Sequence, residues 1–172
     1  HHRNPNLLFL ATEQGAYWSY DRGQRWHLFG GEVPRVPVDD IFVHEGRNDL
    51  ILGTHARGIW IMDDIAPLEG MSAGLFEQPL TLFDIRPTWR FNRASHLQDQ
   101  GDFFFQADNP PYGAIISYFL SEVPEGAEQA EITISDPSGG FVRSMEGHLE
   151  VGVNRSAWDL AHGFAEQEGE EI

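Results

Sequence analysis
The chain has 172 residues, with 27 acidic against 11 basic side chains and a net charge of −16. That field repels phosphate backbones and anionic bilayer surfaces, so nucleic acid and membrane surfaces are excluded as natural partners, and the acidity reads first as a solubilising surface. The lack of cysteine removes disulfide frameworks and Cys-based zinc sites, and no apolar run approaches the roughly 20 residues of a membrane-spanning helix.

The amino terminus, His1-His2-Arg3-Asn4-Pro5, has no initiator Met and runs directly into apolar sequence. The expectation is a piece of a longer protein, with the two histidines as native linker residues. Residues 6–12 and 16–20 are short, aromatic-rich apolar runs around the polar loop Glu13-Gln14-Gly15, which predicts a hairpin. The same arrangement returns at residues 49–54 and 59–62 around the loop His55-Ala56-Arg57-Gly58. Thr12 matches Thr54 at an offset of 42, and Gly15 matches Gly58 at 43. A multistrand repeat of that length is the period of a propeller blade. The runs are apolar on both faces, as expected of strands covered on both sides.

Between the repeats stands Ser19-x-Asp21-x-Gly23-x-x-Trp26. A short carboxylate at Asp21 can accept backbone N–H groups of its own turn, Gly23 can take positive φ, and Trp26 can fold its indole into the sheet interface. This assigns Ser19, Asp21, Gly23 and Trp26 to structure rather than catalysis. An outer strand is expected near residues 26–29. A proline-punctuated connection, residues 30–37, then leads to an inner strand at 38–44. The second blade continues through 49–54 and 58–63, with a fourth strand at 80–85. Asp63-Asp64 reads as a degenerate form of the 19–26 turn. Residues 1–88 thus hold one to two blades, fewer than the four to eight that close a ring.

Residues 89–108 read as a polar linker. From 109 a second strand system begins, with strands at 114–120, 131–135, 141–145 and 152–160 and a turn cluster at 136–140. Residues 109–165 predict a small antiparallel sandwich, shorter than the usual seven strands or so, and 166–172 an acidic tail. No segment reads as a helix. Asn154-Arg155-Ser156 fits an N-glycosylation sequon, read as a chance match. The eight histidines show no metal-ligand spacing with acids, so no metal or cofactor is expected.

The 19–26 motif resembles the Asp-box, or BNR repeat, and residues 48–64 resemble the last blade of bacterial sortilin-like "glycosyl hydrolase" proteins. In that family the loop usually reads Gly-Thr-His-Gly-Arg-Gly; here Ala56 replaces the middle Gly. Residues 109–113 and 153–160 resemble the Ig-like domain that follows such propellers, similar to that of flagellar hook-capping proteins. The resemblance implies an all-β chain: the last one to two blades of a β-propeller followed by a partial Ig-like β-sandwich. It also implies extracellular or periplasmic placement, with the remaining blades of the same protein as partners.

Propeller ligands generally occupy the rim opposite the Asp-box turns. Here that rim would carry Glu13, Asp39 and Asp40 as candidate catalytic carboxylates, and His55 and Arg57 as candidate ligand-binding residues. A glycosidase needs two carboxylates about 5–9.5 Å apart across the scissile bond. Asp39 and Asp40 adjoin on a strand and should point to opposite faces, so the pair would be Asp39 with Glu13, or one of these with a residue from another blade. The expected function is a secreted glycoside-hydrolase-like protein acting on glycans. The alternative is a non-catalytic propeller that binds peptides or proteins.

Overall fold
The computed structural model describes residues 1–31, 33–91 and 111–164, with backbone only at 163–164. The expected linker beyond residue 91, the start of the second strand system at 109–110 and the 166–172 tail lie outside the described residues. The protein is all-β, built from small sheets. It divides into two compact units, His1–Asp84 and Ile85–Ile172.

In the first unit, β1 (Leu8–Thr12), β2 (Gly15–Ser19) and β3 (His27–Leu28) form one antiparallel sheet in the order β1-β2-β3. A second antiparallel sheet, β4-β5-β6, comprises β4 (Val38–His44), β5 (Asp49–Thr54) and β6 (Ile59–Met62). The two hairpins are equivalent pair by pair. Phe9 faces Trp18 where Ile51 faces Ile61, Leu10 faces Tyr17 where Leu52 faces Trp60, and Ala11 faces Ala16 where Gly53 faces Ile59. Even the loop clasp repeats, since Thr12 Oγ1 donates to the Gly15 carbonyl at 2.8 Å and Thr54 Oγ1 to the Gly58 carbonyl at 2.6 Å. The one-residue difference in offset is absorbed in the β5–β6 loop, where Ala56 sits at φ 63°.

The core lies between the sheets. Ala16 and Phe29 of the first meet Leu50, Leu52 and Val38 of the second, closed by Ile65. Each sheet therefore buries one face and leaves the other open. This departs from strands covered on both sides: Leu10, Phe42, Ile59 and Ile61 are exposed. The runs are thus apolar throughout yet only half-buried.

After β6 the chain differs from expectation. Asp63 and Asp64 do not turn into a fourth strand. Asp64 is buried at φ 51°, and its Oδ1 accepts the Ala66 N–H at 3.3 Å. The chain then enters α1 (Ala66–Glu69), with Ile65 at its N-cap and Pro67 in its first turn. A 3₁₀ turn over Ala73–Glu77 follows. These two short helical pieces escaped the sequence because one turn is too short to show a 3.6-residue periodicity. The next strand, β7 (Leu80–Leu82), is not part of the β4-β5-β6 sheet. At the same end of the unit, Arg3 donates to both Glu69 carboxylate oxygens at 3.1 and 3.0 Å and to Asn48 Oδ1 at 2.7 Å, while Asn48 Nδ2 donates to Glu69 at 2.8 Å. This cluster ties the amino-terminal segment to the β4–β5 turn and to α1.

In the second unit, β8 (Ala114–Leu120) is buried at every residue and pairs antiparallel with β11 (Gly152–Trp158) along its whole length. β9 (Ala130–Ser135) alternates half-buried with exposed residues, as a strand with one solvated face must, and pairs antiparallel with β10 (Phe141–Gly147). β12 (Gly163–Phe164) adds a short parallel contact to β10. The β9–β10 turn is held by Asp136, whose Oδ1 accepts the backbone N–H groups of Ser138 and Gly140, both at 2.8 Å, and the Ser138 hydroxyl at 2.6 Å. Buried Tyr118 donates to the His148 carbonyl, and burial raises its pKa above the ordinary phenol value. Asn154 spends its side chain within the fold. Nδ2 donates to the Glu150 and Gly152 carbonyls at 2.7 and 3.1 Å, and Oδ1 accepts the Glu150 N–H at 3.0 Å. With that amide buried, the sequon offers no acceptor in the folded protein.

Candidate functional site
The 19–26 turn is held from within. Ser19, fully buried, donates from Oγ to Asp21 Oδ1 at 2.8 Å and accepts the N–H groups of Gly23 at 2.8 Å and Asp21 at 3.3 Å. Asp21 Oδ1 in turn accepts the Arg25 N–H at 2.9 Å. Arg22 and Gly23 both take positive φ, at 61° and 83°. A Cβ at Gly23 would stand 3.3 Å from the Trp26 ring and 3.6 Å from Leu8, so the indole lies over the glycine. Trp26 does not enter the interface between the two sheets. It rests, 40% exposed, on the open face of the first sheet, because Gly23 and Leu8 offer it a floor there.

The backbone N–H of Arg25, foremost, and the Ser19 hydroxyl hold the Asp21 carboxyl below its usual value of 3.8. The Ser138 hydroxyl and the Gly140 N–H do the same for Asp136. A depressed folded-state pKa stabilises the native state above the unfolded value, and that contribution is lost as pH falls through the folded one. Both turns should therefore keep full strength above about pH 4 and loosen below it. In an acid titration followed by tryptophan fluorescence, Asp21→Asn should shed part of the acid dependence of the first unit. An unchanged profile would mean that the carboxylate carries no such role.

The rim candidates divide. Asp39 and His55 come together, with Oδ2 and Nδ1 3.4 Å apart. The pairing is anchored by the His55 N–H, which donates to the Pro37 carbonyl at 2.8 Å. Both side chains are exposed, 64% and 73%, so solvent screens the pair and it adds little to stability. The expected opposite facing of Asp39 and Asp40 rests on strict alternation along β4. The β4–β5 register shifts between Val38 and Asp40, leaving Asp39 as an extra, unpaired residue. Strict alternation stops there, and both carboxylates are exposed. Glu13 stands in the β1–β2 loop. With Gln14 it borders a shallow recess of about 510 Å³ on the open face of the first sheet, floored by Leu10, Tyr17 and Trp26. Arg57 contributes its carbonyl, which accepts the Trp60 indole N–H at 3.1 Å, and its side chain is exposed.

Ala56 explains the loop's strain. Its left-handed φ costs a residue with a Cβ about 1 kcal/mol relative to glycine. Ala56→Gly should leave the first unit at least as stable, gaining up to about 1 kcal/mol in urea unfolding once the freedom glycine gives the unfolded chain is set against the relieved strain. A loss of stability would contradict the left-handed assignment.

Among the described residues, no group of three or more His, Asp or Glu side chains is placed to hold a metal ion, and no helix is long and apolar enough to cross a membrane. The recess on the first sheet was not foreseen, because it depends on which face of the hairpin the second sheet covers. No protein-family model, curated protein or solved structure matches the chain.

Proposed function
We propose that the chain is the carboxy-terminal part of a secreted, sortilin-like Asp-box propeller protein. In this reading β1–β3 and β4–β6 are successive blades, the second unit is a partial Ig-like domain, and the protein acts by binding a glycan or peptide across the rim that carries Asp39, Asp40, His55 and Arg57. The support for the architecture is the pairwise equivalence of the two hairpins, down to the Thr12 and Thr54 clasps. The support for binding is the exposure of the Asp39–His55 pair. An exposed acid, imidazole and guanidinium suit hydrogen bonding to a polar ligand. Further blades would complete the ligand surface.

The acidic rim keeps a second reading in play, a glycoside hydrolase whose second carboxylate lies in another blade or is Glu13. The two separate experimentally in the longer protein, assayed against a glycan array, a peptide library and polysaccharide substrates. Binding predicts that His55→Ala with Arg57→Ala weakens ligand affinity about tenfold, while turnover stays at background in every variant. Hydrolysis that falls about 10²–10⁴-fold in Asp39→Asn or Glu13→Gln would establish catalysis instead.

A further inference from the structure
Two irregularities of the second sheet meet at the rim. The β4–β5 register shifts between Val38 and Asp40, and the bulge takes Asp39 out of the ladder. Bulges re-aim side chains and gather beside functional sites. The β5–β6 loop, in turn, is one residue longer than its counterpart in the first sheet. It holds Ala56 at φ 63° against steric preference, and strain of that kind persists where the surrounding structure over-determines it. Both segments are fixed through the backbone. The His55 N–H donates to the Pro37 carbonyl at 2.8 Å, and Thr54 closes the loop on the Gly58 carbonyl through its N–H at 3.1 Å and its hydroxyl at 2.6 Å. Their common result is the approach of Asp39 Oδ2 to His55 Nδ1 at 3.4 Å, between two exposed side chains.

A neutral imidazole donates from one ring nitrogen and accepts at the other. The carboxylate faces Nδ1, which favours the proton there and leaves the Nε2 lone pair outward. The two neutral tautomers lie close in energy, so even a solvent-screened carboxylate tips the balance between them. We propose that Asp39 is a positioning residue for His55, and that the pair presents Nε2 as a hydrogen-bond acceptor to the hydroxyls of an uncharged glycan. The class of ligand follows from what else the rim offers. Arg57 supplies an exposed donor and Asp40 a further exposed acceptor, and a sugar hydroxyl donates to the one kind while accepting from the other. The net charge of −16 repels acidic sugars. The bulge at Asp39 interrupts β4 as a template on which a peptide strand could pair. The ligand rests on the binding reading above, whereas the tautomer of His55 is a property of the free chain.

The first measurement is a long-range proton–nitrogen NMR correlation on the 172-residue chain in mildly alkaline buffer, where bare and protonated ring nitrogens resonate far apart. His55 should carry its proton on Nδ1 in the wild type and in Asp39→Asn, whose amide oxygen still accepts it. In Asp39→Ala the proton should move largely to Nε2. Asp39 is exposed, so both variants should keep the native circular dichroism. A wild-type ring protonated on Nε2, or a ring indifferent to Asp39→Ala, overturns the proposal. The second measurement is the affinity of the longer protein for uncharged oligosaccharides, acidic oligosaccharides and peptides. Asp39→Ala should weaken binding of an uncharged glycan about tenfold, and Asp39→Asn should recover most of that loss. Equal losses in the two variants would mean that Asp39 meets the ligand through its charge, and preference for an acidic glycan or a peptide would mean that the acceptor does not select; either result overturns the proposal. The expected tautomer in a protein that binds neither sugar nor peptide would refute the binding reading while upholding the Asp39–His55 pairing.

Discussion

Gly113→Ala should unfold the second unit or cost it about 3–5 kcal/mol, the sum of backbone strain and forced overpacking. Gly113 has φ 115°, and a Cβ there would lie 1.9 Å from the Trp158 carbonyl oxygen and 2.6 Å from its carbon. Neither side can retreat. Trp158 closes the β8–β11 ladder opposite Ala114, the residue after Gly113, and its indole N–H is fixed on the Ala161 carbonyl at 2.9 Å. Thermal unfolding monitored by the Trp158 indole NMR signal measures the effect. Gly126→Ala is the control, since that residue has φ 80° but open space around its Cβ. It should lose only about 1 kcal/mol from strain. Equal losses in the two variants would mean that the close approach at Trp158 contributes nothing.

Ser19→Ala should be the most damaging single change in the 19–26 turn. It removes the fully buried hydroxyl that links Asp21 to the Gly23 N–H, and with it the acceptor for a backbone donor in a turn that already holds two residues at positive φ. An unsatisfied buried group costs about 1–3 kcal/mol, and the lost Ser19–Asp21 bond adds to that. For a unit of this size the midpoint of thermal unfolding should fall by roughly 10–15 °C, with the Trp26 emission shifting as its support on Gly23 loosens. A fall of less than about 2 °C would show that Asp21 and the backbone hold the turn unaided.

The strands, their hairpin pairing and the repeat were legible because they rest on local rules. Apolar runs of strand length bounded by glycine recur at 42–43 residues, and the turn chemistry of Ser19, Asp21 and Gly23 acts within a few residues. The same holds for β9, whose alternation announced a half-solvated strand. The Asp39–His55 contact was legible only as a shared rim, since the bulge that takes Asp39 out of the β4–β5 ladder leaves no mark on the residues themselves.

Long-range packing supplied the rest. Which face of each hairpin is buried, and so whether Trp26 enters the interface or lies on the open side, depends on where a second sheet arrives. An apolar run carries no record of that direction. The diversion of the chain into α1 after Asp64 follows from the burial of Asp64 and Ile65, and the tie between Arg3 and Glu69 joins residues 66 positions apart. Local propensity places each loop at the end of a hairpin, while the stacking of the sheets sets which side chains meet in space.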